Sequence, residues 1–146
     1  MKNRLQQFRL LNREIDNSIE RLELLQMKAT SPHGMNLTGT PKKPPSIGDT
    51  LSYKASYIVD LENEIKQLIE RRDQEERFIE SLVKKLNKPD ERFVIRLRYL
   101  DGEEWEDVIM LLYGDKPDYN INLDNYKQRA YRLHRSAIEK LSALNP

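Results

Sequence analysis

The 146-residue chain contains no cysteine. That excludes disulfides, thiolate chemistry and the usual structural zinc sites, and it fits an intracellular chain. Histidine occurs only twice, at His33 and His134, too sparsely and too far apart for a metal cluster. No glycine-rich phosphate loop is present. No apolar run approaches the roughly 20 residues that a membrane span needs. The opening stretch "MKNRLQQFRLLNREIDN" is charged throughout and predicts no signal-peptide core. Net charge is also scarce: the formal total is +1, so only its distribution can point to partners. These absences leave no expectation of an enzyme, a cofactor, a metal or a membrane partner.

A third of the residues are charged and 38% are hydrophobic, which suits long exposed helices better than one large core. Glu, Lys, Arg, Leu and Gln abound, and all are good helix formers. The fold class expected is therefore all-α.

Residues 2–28 carry a seam of coiled-coil type: Phe8, Leu11, Ile15 and Leu22 recur at helical steps. Residues 51–87 resume it with Ile58, Leu61, Ile65, Leu68, Ile79 and Leu82, interrupted by Arg72 and Glu75. Between them, residues 29–50 hold four of the seven prolines and three of the five glycines, so regular helix cannot cross. Its "TPKKPP" reads as a spacer. Residues 1–88 are thus expected to form a helical hairpin or coiled coil that holds a homo-oligomer, a dimer before any larger form.

Residues 89–146 change character and are expected to be a separate three-helix domain. In "RFVIRLRYLDGEEWEDVIMLLYG", residues 92–114, a first helix over about 90–100 should bury Phe93, Val94, Leu97 and Leu100. Asp90 should cap it after Pro89 closes the long helix. Gly102 reads as the left-handed stop. A second helix, about 103–113, aligns Trp105, Val108, Ile109 and Leu112, and Gly114 ends it. A polar loop leads to a third helix, about 123–144, with the stripe Tyr126, Ala130, Leu133, Ala137, Leu141 and Leu144. Three such helices close a core of the helix-turn-helix type.

The charges separate within this domain. Glu103, Glu104, Glu106 and Asp107 open the second helix, where they suit its positive end. Residues 124–140 of the third carry an excess of three positive charges. Its outer face offers Lys127, Gln128, Tyr131, Arg132 and Arg135. Lys and Arg bind phosphates, and Gln and Arg can bind base edges through paired hydrogen bonds. A basic face is often merely solvated. An acidic helix, a turn and a basic helix in succession is nevertheless the arrangement that a DNA reader needs.

"LRYLDGEEWEDVIMLLYG" followed by "AYRLHRSAIEKL" resembles region 4 of bacterial sigma factors. More closely, it looks like phage-encoded transcription regulators of the ArpU/RinA type, which carry a sigma-region-4-like C-terminal domain. The matching positions are Arg98, Tyr99, Leu100 and Gly102, then Trp105, Glu106, Asp107 and Val108, then His134, Ala137, Ile138 and Leu141. The resemblance implies a sequence-specific regulator of phage late genes in the cytoplasm of a bacterial host. It would bind double-stranded DNA near a promoter and contact host RNA polymerase. It carries the base-reading role to Lys127, Gln128, Tyr131 and Arg132. Two positions depart from the pattern: the loop to Asn125 is long, and Tyr126 stands where a small capping residue is expected, leaving Asn122 or Asp124 to cap. His134 is either a phosphate contact or a packed polar residue. Two rival functions use the same features. One is a DNA-packaging protein like a small terminase, which would form large rings. The other is a coiled-coil adaptor with a degenerate helix-turn-helix.

Overall fold

The computed structural model of this chain describes residues 1–30 and 47–146, the latter with side chains from residue 52. Of the stretch expected as a linker, 29–50, residues 31–46 with His33 and "TPKKPP" lie outside the described residues, while 29–30 and 47–50 belong to helices. Every regular element among the described residues is helical: α1 (Lys2–Thr30), α2 (Ile47–Val83), α3 (Pro89–Ile95), α4 (Trp105–Tyr113) and α5 (Leu123–Leu144). None of these helices is long and apolar enough to cross a membrane.

The chain divides into two compact units. One joins Met1–Asn12 to Arg71–Pro146, and the other is Arg13–Glu70. The boundary expected between 88 and 89 therefore falls inside a compact unit. The core of the first unit explains why. Leu5 and Phe8 from α1 and Ile79, Leu82 and Val83 from α2 are buried in one cluster with Leu86, Val94, Ile95, Val108, Ala137 and Leu141. Of the three C-terminal helices α3 and α4 are short, and the ends of the two long helices complete their core. Trp105, aligned by spacing with Val108, Ile109 and Leu112, is only half-buried and sits at the margin of that core.

Within this unit Arg4 pairs with Glu75, its Nη2 lying 2.9 Å from Oε2, and its guanidinium lies 3.8 Å from the centre of the Phe78 ring. Glu75, a polar break in the expected seam, is thus satisfied by the facing helix. Such a pair fixes the register of two helices more than it stabilises them. Arg72, the other break, bonds instead to its neighbour Asp73 at 2.7 Å.

In the second unit α1 and α2 also pair within one chain. Gln26 Nε2 donates to Glu62 Oε1 at 3.3 Å, and Arg21 lies over the Tyr57 ring. Ile15, Leu61 and Ile65 are buried, while Leu22, Ile58 and Leu68 are half-buried. The expectation of a homo-oligomer rests on an open seam. Here Ile15, Leu61 and Ile65 are covered within one chain, whereas Leu22, Ile58 and Leu68 keep part of their surface open.

α2 ends at Val83, short of the expected 87, through two tight turns in which Lys85 and Leu86 N–H reach the Leu82 and Val83 carbonyls. Pro89 holds Lys88 extended and takes the first helical position of α3. Asp90 is therefore inside the first turn and is not the cap. The buried face of α3 also differs from expectation. Phe93 is 41% exposed, and Glu91, Val94 and Ile95 point inward instead. Glu91 is fully buried because Lys140 Nζ lies 2.6 Å and 2.9 Å from its two oxygens and Ser136 Oγ donates at 2.8 Å. A carboxylate strapped to α5 occupies the inward position, and Phe93, on the opposite side of the turn, is left outside.

Beyond Ile95 the helix widens into a π-helical turn, Arg96–Leu100, closed by Asp101 N–H on the Arg96 carbonyl at 2.9 Å. The wider turn shifts the apolar phase so that Leu97 and Tyr99 face inward, with Leu100 partly covered. Gly102 then adopts φ 78°, the left-handed conformation expected of it. Gly114 follows α4 closely enough that a Cβ there would run into the Met110 carbonyl oxygen.

Two expectations follow. Phe8→Ala should cost about 3–5 kcal/mol in urea unfolding of the intact chain, as for a buried aromatic. A fragment of residues 89–146 should then show no cooperative transition. The second concerns Glu91. Burial pushes its carboxyl upward, but the hydrogen bonds from Lys140 and Ser136 and the nearby Lys140 and Lys88 charges outweigh this and hold it below its ordinary value. A lowered folded value gives stability that is present above the unfolded carboxyl range and lost as pH falls through the folded value. Lys140→Met should destabilise the chain by about 1–3 kcal/mol at neutral pH, and unfolding curves should show less of that loss in acid.

Candidate nucleic-acid interface

α5 follows its loop without a side-chain cap. Asn122 stands at the cap position, yet its amide donates to Asp118 Oδ2 at 2.8 Å instead of capping. Tyr126 is not at a cap at all. It is buried in the second turn, with its hydroxyl on the Asp118 carboxylate and its ring against Tyr113 and Tyr119. From there Tyr126, Ala130, Ala137 and Leu141 bury one face of α5. The small Ala130 and Ala137 let α4 and α3 approach closely.

The opposite face carries the residues expected to meet DNA. Lys127, Tyr131 and Arg135 follow at four-residue steps, and Gln128 and Arg132 form the neighbouring row, so the five share one side of the helix. Gln128, Tyr131, Arg132 and Arg135 are exposed, and Lys127 is half-buried. No hydrogen bond or ion pair joins Lys127, Arg132 or Arg135 to another described residue. Asp124 and Glu139 bracket the row at its two ends.

The other cations of α5 are committed elsewhere. Lys140 holds Glu91, and Arg129 lies over the Tyr113 and Tyr126 rings at 5.3 Å and 5.5 Å. The positive excess read from the sequence thus divides into a packing share and a free share, and the free share is confined to the outer face. Tyr131 is 43% exposed and is steadied from one side by Trp105, with ring centres 4.9 Å apart at 81°.

The turn before α4 is held by residues that sequence reasoning placed only in the resemblance. Arg98 Nη1 donates to the Glu103 carbonyl at 2.9 Å and reaches Glu104 at 3.2 Å, and its guanidinium lies 5.1 Å from the Trp105 ring. Arg9 of α1 donates to the Gly102 carbonyl at 3.2 Å and pairs with Glu104. Arg9 was not anticipated. Nothing in the helical pattern of α1 marks it, because its partners lie more than 90 residues away in the chain.

His134 is a packed polar residue. Its Nε2 lies 2.9 Å from the Tyr99 hydroxyl, and its ring meets the Trp105 face edge-on at 5.1 Å. Burial, aided by the Lys2 and Arg98 charges, lowers its pKa to about 4. It is therefore neutral near pH 7 and makes no cationic phosphate contact there. Among the described residues no group of His, Asp and Glu could hold a metal ion.

The depressed His134 value has a definite sign. Between its ordinary value of 6.5 and its folded value of about 4, the unfolded chain binds a proton that the folded chain does not. Stability should be fully present above 6.5 and decline as pH falls through that window. Proton NMR should place the imidazole titration of the folded chain near pH 4, and His134→Gln should flatten that part of the stability profile. No family model, curated protein or solved structure matches this chain.

Proposed function

We propose that this chain is a sequence-specific double-stranded-DNA-binding regulator of transcription, with α5 as the helix that enters the major groove. One observation carries the reading. The outer face of α5 presents Lys127, Arg132 and Arg135 with no internal partner, beside exposed Gln128 and Tyr131, while Arg9, Arg96 and Arg98 of the same unit are tied into ion pairs. Uncommitted cations next to a hydrogen-bonding amide suit a surface that must meet phosphates and base edges together. The major groove, about 12 Å wide, admits a single helix of this kind.

The packing behind the helix supports the same reading. A reading helix must be held rigidly, and α5 is fixed by its alanine face, by the Glu91 strap and by the Tyr99–His134 hydrogen bond. The acidic start of α4 also agrees. Glu104 is neutralised by Arg9 and Arg98, which removes one of the charges that would repel DNA. The resemblance to sigma region 4 and to ArpU/RinA-type regulators adds phage transcription as the setting and RNA polymerase as the protein partner.

The test begins with selection of a duplex from a random-sequence library by the full chain. Binding to the selected and to a scrambled duplex is then titrated at two salt concentrations. Arg135→Ala should weaken binding to both and flatten the salt dependence by about one unit of slope. Gln128→Ala and Arg132→Ala should each cost about 1–3 kcal/mol on the selected duplex and far less on the scrambled one. If these variants bind the selected duplex as the parent does, α5 is not the reader.

A further inference from the structure

The segment Gly114–Asn122 is longer than a helix-turn-helix turn requires, and it is a built structure. Lys116 N–H donates to the Tyr113 carbonyl at 3.0 Å, and Tyr119 N–H to the Lys116 carbonyl at 3.1 Å. The N–H groups of Ile121 and Asn122 both reach the Asp118 carbonyl, at 3.1 Å and 2.9 Å. The Asp118 carboxylate then takes the Tyr126 hydroxyl and the Asn122 amide, and these two bonds hold it below the ordinary aspartate range. Tyr119 leans on Tyr126 with ring centres 5.9 Å apart. Asp118 and Tyr126 thereby anchor the loop to the second turn of α5.

What this scaffold presents is Ile121. Its side chain is 84% exposed, more than any other large hydrophobic among the described residues. An isolated exposed aliphatic is ordinary on a protein surface. Ile121 is distinguished by its mount and its place. It stands on backbone fixed by two hydrogen bonds to one carbonyl, immediately ahead of the helix whose first turns carry Lys127, Gln128 and Arg132. A group held in place beforehand gives up little freedom on contact. At the end of a helix seated in the major groove, the apolar feature offered by base edges is the C5-methyl of thymine.

We propose that Ile121 packs against a thymine methyl at the edge of the DNA site, adding a preference for an A·T pair beside those read by Gln128 and Arg132. The proposal rests on α5 being the reading helix. The long loop then has a use: it carries one apolar contact to the rim of the site, where α5 itself offers polar side chains.

The experiment uses the full chain and the duplex that it selects from a random-sequence library. Each thymine is replaced in turn by uracil, which removes only the methyl group. At one edge position the replacement should weaken binding about three- to fivefold, the worth of burying one methyl. Ile121→Ala should weaken binding to the unmodified duplex by a similar factor. It should add nothing on the duplex carrying uracil at that position. Because Ile121 is exposed, the variant should melt as the parent does, which separates lost contact from lost fold. Uracil without effect at every position overturns the proposal, as does a uracil effect of equal size in parent and variant. If Gln128→Ala and Arg132→Ala still lose affinity, that failure belongs to Ile121 alone. If no duplex is selected, the reading of α5 falls and the Ile121 contact falls with it.

Discussion

Leu5 and Phe8, both buried, close a core that α3, α4 and α5 cannot close by themselves. A helix of seven residues and one of nine present little apolar surface, and an assembly of this size is at best marginal on its own. The ends of α1 and α2 supply the missing wall. Everything on the outer face of α5 depends on this arrangement, since the alanine face behind it packs onto elements that the wall keeps in place. Arg9 extends the dependence to the turn before α4, where it binds the Gly102 carbonyl and the Glu104 carboxylate.

The helical character of the chain was legible, because local propensity and apolar spacing agree over most of its length. α5 was read to its ends, and Gly102 was identified as the left-handed stop, a position at which only local backbone geometry matters. What escaped depends on partners distant in sequence. Glu91 reads as a solvated residue until Lys140 and Ser136 are placed beside it, and Phe93 reads as core until Glu91 takes the inward position. The π-helical turn at Arg96–Leu100 breaks the period on which such reading relies. The break at residue 88 looked like a domain boundary because composition changes there, yet Val83 and Leu86 pack with Val94 across it.

The candidate site was read in a similar way. The outward residues of α5 follow from helical spacing, since a face opposite a buried stripe must be exposed. Their freedom from internal partners does not follow, because spacing alone does not tell them from Lys140, which is tied to Glu91, or from Arg129, which lies over the Tyr113 ring. The two alternative roles of His134 were separated by burial and by Tyr99, neither visible in a single stretch of sequence. The Asp118–Tyr126 bond turns a segment that reads as a polar loop into a mount for one side chain.

Leu5 and Leu141 meet in the same core, although 135 residues lie between them in the chain. A ribosome delivers Leu5 well before Leu141, so α1 can form its helix at once but must wait for the last part of its cover. Until α5 emerges, the core around Leu5 and Phe8 lacks Ala137 and Leu141 and is incomplete on a nascent chain. Contacts so far apart in sequence are slow to form, because the closing of the loop must come before the reward of packing. Termination before α5 would leave that core without Ala137 and Leu141 and prone to aggregate. The fold thus couples completion of the outward helix to full shelter of a helix made long before it, and a chain cut short between them is marked by what it fails to bury.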